Sequence, residues 1–198
     1  MCWLAAVLLL GACSEPAKKA EKKIEPPLEP ITGRAAFFKV YPAARAWAAD
    51  AQPMQVVSIL LPEVKAEAGK AGAWQVQFVS ASKGKSRSWT WSSIESAGNL
   101  HKGLFALGEE SWSGPRGQSR PFLMQALKVD TDAAYEEAVK HAETFFKKVK
   151  ERPPVNFMLE STPRFPDVYW RVMWGETVGT ADFTVFIDAS SGGFLERN

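Results

Sequence analysis

The chain has 198 residues, a formal net charge of +2 and an apolar content of 46%. That is enough for one or two small globular domains, and the near balance of charge leaves no electrostatic footprint for nucleic acid. Its two cysteines, Cys2 and Cys13, both lie in the first 13 residues, so the rest of the chain holds no thiolate metal site and no cysteine nucleophile.

From Trp3 to Ala12 the chain is apolar. The run is far shorter than the roughly 20 residues that span a bilayer, and it suits the hydrophobic centre of an export signal. Leu10-Gly11-Ala12 then leads into Cys13. This arrangement resembles a bacterial lipoprotein signal, which implies cleavage between Ala12 and Cys13 and acylation of the Cys13 sulfur. The resemblance also implies a membrane-anchored protein of the cell envelope. Ser14, rather than Asp, follows the cysteine, which in enterobacterial lipoproteins favours the outer membrane, facing the periplasm. Met1 to Ala12 lacks the Lys or Arg with which export signals usually begin, so in this reading the natural start lies upstream.

Residues 13–31 follow as the acylated cysteine and a linker. Ser14 to Pro30 holds four Lys, four Glu and four Pro, with Ile24 and Leu28 as its sizeable apolar residues. Such a segment buries too little surface to offset ordering, and it is expected to be extended or disordered.

From Thr32 a pattern runs that returns from Thr131. Each Thr is placed to cap a helix. In the first helix Phe37, Val40, Tyr41, Ala44, Trp47, Ala48 and Ala51 trace one stripe, with a kink or restart expected at Pro42. In the second the stripe is Tyr135, Ala138, Ala142, Phe145 and Val149, stopped by Pro153-Pro154. A strand is expected after each helix, at Met54 to Leu61 and at Val155 to Glu160. Next comes a Trp-x-Val-x-aromatic strand, Trp74-Gln75-Val76-Gln77-Phe78 in one copy and Trp170-Arg171-Val172-Met173-Trp174 in the other. Alternation of period two marks a sheet with one face on a core. A further strand follows each turn, at Ser88 to Ser92 and at Asp182 to Ile187. The expectation is an α+β chain of two repeated units, each with one helix packed on a small antiparallel sheet. The units span 32–108 and 127–198, with residues 109–126 joining them.

The closing segment Val185-Phe186-Ile187-Asp188-Ala189-Ser190-Ser191-Gly192-Gly193-Phe194-Leu195 resembles the final hairpin of PepSY and PepSY-like domains. The first copy departs from it, reading Ile94-Glu95-Ser96-Ala97-Gly98-Asn99-Leu100. The resemblance implies a PepSY or cystatin-like arrangement of helix on sheet, found in secreted and membrane-bound bacterial proteins. Some such domains inhibit peptidases, and they share no catalytic residues.

Chemistry-bearing motifs are sparse. His101 and His141 stand apart, without the ligand spacing of a metal site, so no metal and no cofactor is expected. Asp188 reads as a turn residue bonding nearby amides. The joining segment Glu109 to Phe122 carries Trp112, Arg116 and Arg120. Its length and its Trp and Arg content make it a candidate loop for binding a protein or peptide partner, or else a rigid connector. The Trp pairs Trp89/Trp91 and Trp170/Trp174 read as core or inter-copy packing, with an exposed ligand face as the alternative. The reading that results is a non-catalytic envelope lipoprotein that binds a protein or peptide and regulates a peptidase. The alternatives are a structural envelope module, or a hydrolase with an unrecognised site.

Overall fold

The structure, a computed structural model, describes residues 29–64, 67–96, 100–115 and 119–198. The signal segment, Cys13 and the linker up to residue 28 lie outside these, as does Arg116.

Two helices pack on one face of a large antiparallel sheet. The first strand, β1 (Ile31–Thr32), leads directly into α1 (Gly33–Trp47). Strand β2 (Gln52–Ile59) follows, then β3 (Lys70–Ala71), β4 (Ala73–Ser80), β5 (Lys85–Ser92) and β6 (Gly103–Ser111). A short 3-10 turn at Met124–Ala126 precedes α2 (Thr131–Phe146). The chain closes with β7 (Val155–Glu160), β8 (Tyr169–Trp174), β9 (Phe183–Asp188) and β10 (Phe194–Arg197). The small β1 and β3 pair with each other, and the other eight strands form one sheet in the order β10-β9-β8-β7-β2-β4-β5-β6.

That order is a palindrome of two meanders joined through their first strands. The junction is antiparallel, with Val56 opposite Leu159 and Val57 opposite Met158. The sequence led to two small sheets, and backbone pairing at this junction makes one sheet of them. Joining β2 to β7 hides two strand edges that would otherwise present unpaired N–H and C=O groups.

The helices form where expected, with differences at their ends. Thr32 caps α1, its Oγ1 accepting from Ala35 N at 3.4 Å. The cap of α2 is Asp130 rather than Thr131, which is the first helical residue. The helix α1 runs through Pro42 without a break. Pro42 is exposed, so water can satisfy the carbonyl that its ring deprives of a partner. The helix stops at Trp47, and Ala51, although buried, lies beyond it. Likewise α2 ends at Phe146, so Val149 falls past its end.

The core lies between the helices and the sheet. Phe37, Val40 and Ala44 of α1 and Ala134, Ala138 and Ala142 of α2 are fully buried. From the sheet, Trp74, Phe78, Phe157, Val172 and Trp170 meet them. Phe37 stacks on Phe78 with ring centroids 5.6 Å apart, and Trp89 meets Phe78 edge-on at 5.9 Å. The small residues of α2 let that helix sit close to the sheet, and the tryptophans fill the remaining depth.

Candidate functional site

Alternation decides what the second face of the sheet carries. Trp74, Val76 and Phe78 point into the core, so Gln75 and Gln77 point away. Trp89 and Trp91 point in, and Ser88 and Thr90 point out. Trp170, Val172 and Trp174 point in, so Tyr169, Arg171 and Met173 point out. No helix covers this outer face among the described residues, and its two halves differ in chemistry.

The half built on β4, β5 and β6 is rich in amides and hydroxyls. A hollow of about 430 Å³ is lined there by Gln75, Gln77, Ser86, Ser88 and Glu110, among others. A second hollow of about 260 Å³ adjoins it, sharing Gln77, Ser86 and Glu110 and adding Met54 and Trp112.

The half built on β7, β8 and β9 carries a charged and aromatic cluster. Glu160 is 7% exposed, and its Oε1 accepts from Tyr169 Oη at 3.1 Å and from Arg171 Nη1 at 3.4 Å. Tyr169 Oη also lies 2.9 Å from Thr162 Oγ1. Burial pushes the Tyr169 phenol above its ordinary value, and this outweighs the opposing hydrogen bond with Thr162. Phe186 sits under two guanidinium groups, Arg164 at 4.4 Å and Arg171 at 5.9 Å from its ring centroid. Arg164 is in turn paired with Glu196 at 2.8 Å. The cluster lines a hollow of about 260 Å³. Glu160 is committed to Tyr169 and Arg171, and the Thr162 hydroxyl shares its hydrogen bond with the phenol instead of a base.

Three enclosed polar atoms on the outer face lack a protein partner among the described residues: Thr90 Oγ1, Arg171 Nε and Trp112 Nε1. Buried polar atoms are nearly always paired, so these three positions, spread from β8 to the segment after β6, are places where water or a ligand can complete the bonding.

The residues singled out from sequence are dispersed. The backbone N–H of Trp112 donates to Gly84 O at 2.9 Å, and that of Arg120 to Ser161 O at 2.9 Å. Gly84 lies in the turn between β4 and β5 and Ser161 follows β7, so the backbones of Trp112 and Arg120 are tied to different strands. Glu109 to Ser111, read as the start of a loop, belong to β6 and pair with β5. Glu109 also accepts from Trp47 Nε1 at 2.7 Å. Ala12 and Cys13 lie outside the described residues. His141 stacks on Phe194 at 3.8 Å and contacts Glu137 at 3.1 Å, and His101 lies 2.7 Å from Glu95. Among the described residues no three His, Cys, Asp or Glu side chains gather as a metal site would require. Asp188 closes the last hairpin, accepting from Ser190 N at 2.8 Å and Ser191 N at 2.7 Å. Burial pushes its carboxyl up, and these bonds together with the Ser190 hydroxyl more than reverse that, leaving it below the usual carboxylate range.

Sequence pattern does not single out Glu160, Arg164 and Phe186 as a site. Arg171 alone carries a local signal, since an arginine between two core tryptophans must face the other side of the sheet.

No family model matches the chain, and no curated protein matches it. Its fold is similar to the crystal structure of a predicted lipoprotein from Clostridium difficile 630, with a TM-score of 0.51. Identity is 10%, over 82% of this chain and 91% of that one. At that identity the likeness is one of fold: two helices on one broad antiparallel sheet. No helix among the described residues is long and apolar enough to cross a membrane.

Proposed function

We propose that this chain is a non-catalytic envelope lipoprotein, held to a membrane through acylated Cys13, that binds a protein or peptide on the outer face of its sheet. In this reading the chain holds two PepSY-like units, 32–108, extended to Ser111 by β6, and 127–198, with the rest of 109–126 joining them. The repeated order of one helix and a four-stranded meander supports the duplication. The fold shared with a predicted lipoprotein supports the envelope placement, and Ser14 favours the outer membrane. Peptidase regulation is the specific form of partner binding that the PepSY resemblance implies.

The observation that carries the reading is the outer face itself. Half of it offers amides and hydroxyls, the other half two arginines against an aromatic ring, and three enclosed polar atoms there have no protein partner among the described residues. Arginine and aromatic side chains are the groups that dominate protein-binding hot spots.

Affinity capture from solubilised envelopes tests this. Wild type and Lys140→Ala, altered on the helix side, should recover the same protein, and Gln77→Arg combined with Ser88→Arg should lose it at unchanged thermal stability. Recovery that ignores the double variant would contradict the proposal.

A further inference from the structure

Helix α1 has an unusual solvent side. Its sequence, GRAAFFKVYPAARAW, contains Arg34, Lys39 and Arg45 and no carboxylate. At about 100° per residue, Arg34, Phe38, Pro42 and Arg45 fall within a quarter of the helix circumference. All four are exposed. Phe38 is 42% exposed, with the Arg34 guanidinium 5.2 Å from its ring centroid. Beside this stripe Leu123, 68% exposed, shares a hollow with Tyr41 and Arg45. Asp130, at the start of α1, is occupied in capping, accepting from Arg34 N at 2.9 Å and Thr32 Oγ1 at 2.6 Å.

The other helix is the opposite. Along α2 stand Asp132, Glu136, Glu137 and Glu143, with Lys140 as its single Lys or Arg. Two helices on the same side of one sheet thus present opposite charge.

We infer that the outer stripe of α1 docks peripherally on an anionic lipid surface. Cations with interspersed aromatic and aliphatic side chains match a bilayer interface, where the cations meet headgroups and the apolar groups enter the boundary region. The tether adds little charge of its own, since Lys18, Lys19, Lys22 and Lys23 are offset by Glu15, Glu21, Glu25 and Glu29, but it leads straight into β1 and the first turn of α1. Contact is centred on α1, because Asp132, Glu136, Glu137 and Glu143 of α2 are repelled by the same headgroups, and the exposed Lys147, Lys148 and Lys150 lie beyond that helix. Docking in this way turns the outer face of the sheet away from the bilayer, free for a partner. The inference rests on the envelope placement proposed above and not on acylation.

The test uses the mature chain, residues 13–198, carrying Cys13→Ser, so that no lipid anchor contributes. Its binding to vesicles of phosphatidylcholine alone is compared with binding to vesicles of phosphatidylcholine and phosphatidylglycerol. The chain should bind the anionic vesicles, and Arg34→Glu with Arg45→Glu should weaken that partition by about tenfold or more. Phe38→Ser, which leaves charge intact, should weaken it to a smaller degree, and Lys140→Glu on α2 should not abolish it. Thermal unfolding of each variant separates lost binding from lost folding. Absence of binding to anionic vesicles would overturn the inference. So would binding that ignores the α1 variants and disappears when Lys18, Lys19, Lys22 and Lys23 are changed to Ala. Fractionation of wild-type cells against Cys13→Ser cells reads the acyl anchor separately.

Discussion

Trp74 and Trp170 make the same hydrogen bond in opposite halves of the molecule. Trp74 Nε1 donates to Ile31 O at 2.9 Å, and Trp170 Nε1 donates to Val129 O at 2.9 Å. Each carbonyl belongs to the residue just before a helix cap, Thr32 in one case and Asp130 in the other. Both indoles are fully buried. A tryptophan on the strand therefore fixes where the helix begins, and it does so twice. Between the two ring ends sits Gly33.

Replacing either indole by phenyl removes this donor and leaves a void. For Trp74→Phe and for Trp170→Phe we expect a loss of about 2–3 kcal/mol in urea unfolding, from the unpaired carbonyl and the void together. The two losses should be similar, and unfolding should remain a single transition because one sheet joins the halves. A loss below about 0.5 kcal/mol, the range of neutral surface changes, would show that the bond does not position the helix.

Gly33 is required by space. A Cβ there would lie 2.6 Å from Trp170 Cη2, 2.9 Å from Thr131 Cγ2 and 3.1 Å from Trp74 Cη2. Gly33→Ala should destabilise by about 1–3 kcal/mol, even though alanine is the better helix former. Thermal melts decide between the two effects, and a raised midpoint would mean that the contact relaxes freely.

Asp130 serves both helix starts. Its Oδ1 accepts from Thr131 N at 2.7 Å and from Arg34 N at 2.9 Å, and its Oδ2 accepts from Thr32 Oγ1 at 2.6 Å. Two positive helix ends meet at one carboxylate. Asp130→Ala should cost about 1–2 kcal/mol in chemical denaturation, and Asp130→Asn clearly less. Equal losses for the two variants would mean that charge, rather than hydrogen bonding, is what the site needs.

Asp50 gives the fold a dependence on acid. The Ser80 hydroxyl and the Ser82 N–H hold its carboxyl at about 2, down from 3.8. The folded value is depressed, so the unfolded chain binds the proton more readily. The contribution is whole above pH 3.8 and is lost as pH falls towards 2. The midpoint difference between wild type and Asp50→Asn should therefore shrink over that window. A difference that stays constant with pH would contradict the assignment.

Much of this arrangement was legible in the chain. The period-two strands around Trp74 and Trp170 and the stripes of α1 and α2 follow from local pattern, which depends on neighbours close in sequence. Sequence does not separate Asp130 from Thr131 as the cap of α2, since both are good caps, and the tie is broken by contacts with Thr32 and Gly33 from the other half. The pairing of β2 with β7 was not legible, since register between strands about a hundred residues apart has no local signature. The edge strand β6 has no clear signature, because Gly103, Gly108, Glu109 and Glu110 dilute its alternation. The cluster on Arg164, Arg171 and Phe186 needs two strands and a loop to assemble. No single stretch of sequence contains it.

Photocrosslinking in living cells tests the central claim most directly. A photoreactive side chain placed at Ser88 or at Arg164 samples the two halves of the outer face, and one at Lys140 samples the helix side. The account predicts that the first two positions capture one and the same envelope protein, identified by mass spectrometry, and that Lys140 does not. Capture from Lys140 alone, or no adduct from either outer position, would contradict it.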